Sequence, residues 1–370
     1  MHWHFLFLSL LFANAGQGAL INDVKAQLAE AGSGEEGTPG SQRVGPRAAK
    51  AQALKEAISE WISFLKPQDY NATHWKRTIG ANKHGPGQPG NFFAHYTKEM
   101  SQIFRTHNAE VNFVLVGACD GTHDKTIAER FLVDSHWVGV FVEPVSLNFK
   151  DLSQLFLERN VMNRSHLIKA AATDICKAPM TKIKFPIYET KSPKAPHWLR
   201  REIGAVLTPA EMSGKKKLPN NWNAEDVRCV TARDILDEWT NVTMVERGAA
   251  RRRKREKEGL PGRGHRRRPM VLKIDAEGHD YQVLMGFVAE SVPVQELPLL
   301  ISFEAKSIRD HYNETVAHLQ SRGYVVSERA DDGQITNDGF ALLRGQHIRA
   351  KLRKQRKGAG GAEASSKLLG

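Results

Sequence analysis

Val111-Asn112-Phe113-Val114-Leu115-Val116-Gly117-Ala118-Cys119-Asp120-Gly121, residues 111–121, is the stretch on which the fold turns. Its first six residues hold three β-branched valines, with Phe113 and Leu115, and only Asn112 is polar. A short apolar run of this kind, stopped by small residues, is a buried strand. The turn that follows leads to a helix starting near Asp124. In an open α/β sheet such a turn lets backbone approach a nucleotide-like ligand at the carboxyl end of the first strand. Glycine is needed wherever a Cβ would block that approach or the turn's φ. The G-x-x-x-G spacing is not the G-x-G-x-x-G dinucleotide fingerprint, and the Gly-Lys-Ser/Thr ending of a P-loop is absent. Taken by itself, the turn fits a plain strand-to-helix connection equally well.

Reading outward, the same pattern repeats. Trp137–Val142 is a second apolar run and ends in Glu143-Pro144. A carboxylate there can accept both hydroxyl protons of an adenosine ribose, or simply face solvent. Leu167–Ala172, Val271–Ile274 and Leu299–Phe303 are three more runs, with helical stretches at Lys125–Val133 and Leu147–Leu157. Continuous apolar strands alternating with helices predict a doubly wound, mostly parallel α/β sheet covered on both faces. Gly323–Val326 and Gly339–Leu343 read as two further strands.

The run Val271–Ile274 empties into Asp275-Ala276-Glu277-Gly278-His279-Asp280. Open α/β sheets place ligands at that end of a strand. Titratable groups at this density beside a glycine suit general acid–base work. Alternate Asp, Glu and His also resemble metal ligands. No second ligand cluster accompanies them, so no metal is expected.

These motifs, in this order, resemble a known family. VGACDG, FVEP, V-x-A-x-D-I-L (Val230 to Leu236), LKIDAEGHD, P-x-x-I-x-F-E (Pro298 to Glu304) and RGY (Arg322 to Tyr324) are similar to those of the FkbM-type S-adenosylmethionine-dependent methyltransferases. LKIDAEGHD is the most specific of them. The resemblance implies a Rossmann-like class I methyltransferase fold and S-adenosylmethionine as cofactor. It implies that Gly117, Ala118, Cys119, Asp120 and Gly121 wrap the amino-acid and sulfonium part of that cofactor. It places Glu143 on the ribose, and Thr173 and Asp174 near the adenine. Asp275 and Glu277 would face the methyl group and the acceptor, with Glu277 or His279 as the base and Asp275 positioning. Two positions depart from the family: Leu115 stands where many members carry an acidic residue, and Cys119 where many carry Asn.

Composition and charge bound the rest. The chain has 370 residues, is 41% hydrophobic and 25% charged, and so is globular rather than disordered. The net charge of +12 suggests a phosphate-binding surface, but its location argues otherwise. Arg247 to Arg268 carries +9 and Arg349 to Gly370 carries +6, which leaves the body near −3. Both basic stretches lack interleaved aromatics, so nucleic acid is an unfavoured partner and the basic loop suits some other anionic partner. Phe5–Phe12 followed by Ala13-Asn14-Ala15 reads as a secretory signal peptide, too short to span a bilayer. Four N-x-[ST] sequons, at Asn71, Asn163, Asn241 and Asn313, fit a luminal or secreted protein. The 3 cysteines, Cys119, Cys176 and Cys229, allow at most one internal bridge.

The expected organisation is a signal peptide (1–15), a linker (16–47) and a helical extension (48–110). A methyltransferase domain (111–346) follows, interrupted by a polar insertion (about 193–225) and the basic loop (247–268), and a basic tail (347–370) ends the chain. The expected activity is O-methylation of a hydroxyl, such as that of a glycan sugar. Three other readings compete: a cofactor-binding or adaptor protein without turnover, a nicotinamide oxidoreductase, and a polyanion-binding protein that uses the basic loop.

Overall fold

The computed structural model describes residues 46–66, 89–122, 124, 126–174, 182–188, 222–240, 269–276, 278–306, 308–327 and 338–345. The signal segment, the basic loop and tail, Asn71, Asn241, Cys176, Glu277, and most of the linker and of the polar insertion lie outside these residues.

Two helices, α1 (Pro46–Phe64) and α2 (Pro89–Thr106), precede the first strand. Then come β1 (Val111–Val116), α3 (Ile127–Val133), β2 (Trp137–Val142), α4 (Ser146–Glu158), β3 (Ser165–Ile168) and β4 (Ala171–Ala172). The middle of the chain supplies β5 (Lys182–Tyr188), β6 (Trp222–Val230) and α5 (residues 232–240). The last part holds β7 (Val271–Ile274), α6 (Asp280–Val288), β8 (Leu300–Glu304), α7 (Tyr312–Ser321), β9 (Tyr324–Val326) and β10 (Asp338–Leu343).

The principal sheet has seven strands in the order β3-β2-β1-β7-β8-β10-β9. All neighbours from β3 to β8 pair in parallel, and β10 runs antiparallel to both β8 and β9. This is the doubly wound, mostly parallel Rossmann-like sheet that the alternating runs predict. The chain winds from β1 outward to β3, then returns to lay β7 on the other side of β1. The switch point therefore lies between the carboxyl ends of β1 and β7, where open α/β sheets leave a crevice.

One expected strand divides in two. The apolar run Leu167–Ala172 becomes β3, in the principal sheet, and β4, which pairs in parallel with β6. A second sheet results, ordered β4-β6-β5, with β5 antiparallel to β6. Hydrophobicity alone marks a run as buried and does not say against which partner. The first four residues of β6, Trp222 to Glu225, fall at the end of the span expected to be a polar insertion.

Burial explains why the first strands stay in register. Phe113 packs edge-on against Phe131 at 5.7 Å and Phe141 at 5.1 Å, and tilted against Trp137 at 5.7 Å. Phe156 closes the group, 4.7 Å from Phe141, and all five rings are fully buried. The Trp137 indole N–H donates to Ser101 Oγ of α2 at 2.7 Å, so the polar edge of the ring is also satisfied. Elsewhere, Tyr96 of α2 stacks on Phe340 of β10 with ring centroids 5.6 Å apart, and Trp61 of α1 meets Tyr96 edge-on. The helical extension is thus part of the core. Phe113→Ala should destabilise the protein by about 3–5 kcal/mol, the usual cost of emptying a packed aromatic position. Urea denaturation followed by tryptophan fluorescence measures this.

Candidate functional site

Because β1, β2, β7 and β8 are parallel, their carboxyl ends share one edge. Asp338 joins them, because β10 is antiparallel and pairs its first residue with Glu304 at the end of β8. The turn after β1 is shaped by three consecutive constraints. Gly117 has φ +76°, and an added Cβ would lie 1.8 Å from the Asp275 carbonyl oxygen. Its N–H and that of Ala118 both donate to the Val142 carbonyl, at 2.9 and 3.1 Å. Cys119 has φ +50°, and its N–H donates to Glu143 Oε2 at 2.7 Å. Gly121, at φ +80°, rests on Leu152 of α4, which a Cβ would approach to 2.7 Å. The buried Asp120 accepts the N–H and hydroxyl of Thr122 on Oδ1, so it braces the turn from within.

Glu143 is a buried acid of the group. Oε1 accepts the Val145 N–H at 2.9 Å and the Asn148 amide at 3.5 Å, while Oε2 takes the Cys119 N–H. Burial is the main influence and pushes its pKa up to about 7; these three hydrogen bonds oppose the rise and Asp275 adds to it. A carboxyl balanced in this way gains from any further donor. It therefore suits a ligand offering hydroxyl protons.

The end of β7 combines several charges. Asp275 keeps a solvent-facing surface although protein surrounds it. Its pKa is pushed up to about 6, first by desolvation, then by Glu304, Asp338 and Asp124, against the pull of Lys273. Water on its open side screens part of that shift. Asp280 points elsewhere. Fully buried, it accepts the N–H groups of Ala276 and Glu304, each at 3.2 Å, and so ties β7 to β8. Burial, then the Asp275 charge, raises its pKa to about 7. Glu277, the other candidate base, lies outside the described residues.

His279 and Thr173, 106 residues apart in the chain, meet with Nδ1 and Oγ1 3.0 Å apart. The sequence assigned these two residues to separate parts of the site. The Thr173 N–H is held by the Val230 carbonyl at 2.9 Å, so the second sheet delivers this threonine to the end of β7. Asp174, the next residue, is exposed.

Several participants were not among the candidate site residues of the sequence. Lys273 bonds Asp124 Oδ2 at 2.5 Å. Burial alone would raise Asp124, but the Lys273 ammonium and the backbone N–H groups of Ala128 and Ile127 hold its carboxyl below the usual range. Asp338 reaches the edge only through the antiparallel pairing. On the rim, Tyr281 stacks on His311 at 4.2 Å and donates its hydroxyl to Glu314 at 2.7 Å. That bond to Glu314 pushes the phenol up to about 12. Only Lys273 left a signal in the sequence, as a cation inside an apolar strand. Among the described residues, no group of three His, Cys, Asp or Glu is arranged to hold a metal ion.

No protein-family model matches the chain, and no curated protein matches it. Among solved structures, the chain is similar to a precorrin-6y C5,15-methyltransferase from Geobacter metallireducens, at 9% identity and a TM-score of 0.27, over 63% of this chain and 78% of that one. It is also similar to a putative O-methyltransferase from Klebsiella pneumoniae, at 10% identity and a TM-score of 0.30, over 80% of this chain and 98% of that one. A third is the hMettl16 catalytic domain in complex with the MAT2A 3'UTR hairpin 6, at 11% identity and a TM-score of 0.30, over 81% of this chain and 82% of that one. These likenesses are loose, and they assign no residue of this site.

The raised carboxyls make stability depend on pH. Between the ordinary value of 4.5 and about 7, Glu143 is ionised in the unfolded chain but keeps its proton in the folded one. Its contribution is present in full below that window and is lost as pH rises through it. Glu143→Gln should therefore show a smaller fall in Tm between about pH 5 and about pH 8 than the wild type, although Asp280 retains a slope of the same sign. Differential scanning calorimetry across that range checks the difference. Gly117→Ala should lower Tm at every pH, because its Cβ meets the Asp275 carbonyl.

Proposed function

We propose that this protein is an S-adenosylmethionine-dependent methyltransferase that O-methylates a hydroxyl, such as that of a glycan sugar, within the secretory pathway. The observation that carries this reading is the union of Gly117, Cys119 and Glu143 at the switch point. A left-handed glycine turn closes on the end of β7, and its next N–H but one is bonded to a buried carboxylate at the end of β2. The glycines let the turn pack directly against the end of β7 and against α4, and Glu143 at the end of β2 is positioned as an acceptor of hydroxyl protons, which supports a nucleoside-bearing cofactor at this switch point. Gly117, Ala118, Cys119 and Gly121 would border the cofactor, with Asp120 bracing the turn. When bound, S-adenosylmethionine supplies an electrophilic methyl group.

The chain's own residues must then orient the acceptor and remove its proton. Displacement at a methyl carbon is in line, so alignment contributes heavily to the rate. A hydroxyl is a weak nucleophile until a base draws off its proton. His279 is held against Thr173, Nδ1 to Oγ1 at 3.0 Å, and in the tautomer with Nδ1–H donating to that hydroxyl Nε2 is the accepting atom. Glu277 is the alternative base, and the exposed Asp275 carboxylate serves to position cofactor or acceptor. Supports for the compartment are the apolar leader, the disulfide-bonded state of Cys229, and the exposure of Asn163 and Asn313. No helix among the described residues is long and apolar enough to cross a membrane. The basic loop remains a candidate surface for an anionic partner.

Calorimetric titration with S-adenosylmethionine, paired with methyl transfer from labelled cofactor to candidate glycans, tests the reading. Binding should strengthen from about pH 6 to about pH 8, because hydroxyl donors favour the ionised Glu143. His279→Ala or Glu277→Gln should slow transfer by about 100-fold or more while the cofactor still binds. Wild-type rates in both variants would remove the base assignment. Binding without turnover on any acceptor would favour the adaptor reading, and no binding at all would defeat the methyltransferase reading.

A further inference from the structure

Lys273 lies inside β7, between Leu115 of β1 and Ser302 of β8. A central parallel strand is normally apolar along its whole length, and a lysine there must be matched by charge. Its ammonium bonds Asp124 Oδ2, and both side chains are largely buried. Asp124 already has a second task. Its Oδ1 accepts the backbone N–H groups of Thr126 at 2.9 Å, Ile127 at 2.5 Å and Ala128 at 3.1 Å, and so closes the first turn of α3. The pair therefore joins the helix that follows the glycine turn to the strand that ends in Asp275.

Two residues further along β7, on the same face as Lys273, Asp275 feels the same ammonium. The charged groups that act on Asp275, or feel it, come from every neighbouring element: Lys273 on its own strand, Asp124 before α3, Glu143 after β2, Asp280 in α6, Glu304 of β8 and Asp338 of β10. All but Lys273 are carboxyls. Although burial alone would lower the lysine, Asp124, Asp275 and Asp338 together keep it charged.

We infer that Lys273 is a positioning residue of the cleft, its single ammonium anchoring the start of α3 through Asp124 while keeping Asp275 a carboxylate toward the ligand. The ligand-facing half of this inference rests on the methyltransferase reading above; the charge coupling itself does not. Losing the ammonium would leave Asp275 among carboxyls alone, and it would take up a proton within the physiological range.

The test is carbon-13 NMR titration of the Asp275 carboxyl in the full chain, assigned with Asp275→Asn. In Lys273→Met the midpoint should rise by about 1–3 pH units, the usual effect of one close opposite charge, and in Lys273→Arg it should stay near wild type. Asp124→Asn keeps a helix-capping oxygen and releases Lys273 toward Asp275, so its midpoint should fall or hold. A folded Lys273→Met with an unmoved midpoint, or equal upward shifts in Lys273→Met and Asp124→Asn, would overturn the inference. Should Lys273→Met not fold, the double variant Lys273→Met/Asp124→Asn removes both members of the buried pair and so does not strand Asp124. Its Asp275 midpoint should still exceed wild type, and a midpoint at or below wild type counts against the inference. In a parallel titration, Lys273→Met should weaken S-adenosylmethionine and move its pH dependence upward. If the wild type does not bind S-adenosylmethionine, the methyltransferase reading fails, while the carboxyl titration still decides the coupling.

Discussion

The ends of β1 and β7 lie so close that the Gly117 α-carbon faces the Asp275 carbonyl with no room for a side chain. Much of the site depends on that approach. It makes the two central strands neighbours across the whole of residues 117–270, and it places the switch point where the glycine turn opens. The turn reaches this approach with positive φ at Gly117 and Gly121, which glycine adopts freely, and at Cys119, where the side chain makes it costly. Hydrogen bonds to Val142 and Glu143 hold it in place, so β2 is coupled to the same geometry. The aromatic cluster around Phe113 supplies the rigidity beneath, since Phe113, Trp137 and Phe141 lie on the same two strands.

A second constraint is electrostatic. The carboxyl edge gathers Glu143, Asp275, Glu304 and Asp338, with Asp280 buried just behind. Taking these acids out of water raises Glu143 and Asp280 to about 7 and Asp275 to about 6. Burial is the first cause in each case, and mutual repulsion adds to it. Groups poised near neutrality are what proton transfer and hydroxyl recognition require. The stability lost there is offset by apolar packing elsewhere. Asp280, although it stands in the most specific motif, takes no part in the open cleft; its two backbone hydrogen bonds lock β7 to β8.

Much of the fold was legible from runs of apolar residues, because strands buried on both faces must be apolar throughout. The strands at 111–116, 137–142 and 271–274 fall where the runs place them. Legibility failed at Leu167–Ala172, where one apolar run serves two sheets, and at β5 and β6, whose partner strands are distant in sequence. In the site, Gly117, Glu143, Asp275 and His279 were legible as residues with chemistry at strand ends. Their partners were not. Asp338 comes to the edge by an antiparallel pairing, and the contact of Thr173 with His279 needs both sheets.

The sequence by itself determined the doubly wound class, the glycine turn and the strand ends that carry acids, because these follow from local hydrophobicity and φ requirements. It also showed that the +12 net charge belongs to a loop and a tail, since charge can be located by counting. Only the tertiary structure decided which acids face the cleft and which are structural, and that Lys273 pairs with Asp124. Those properties depend on distance and burial, and residues far apart in the chain acquire both only when the sheet closes around them.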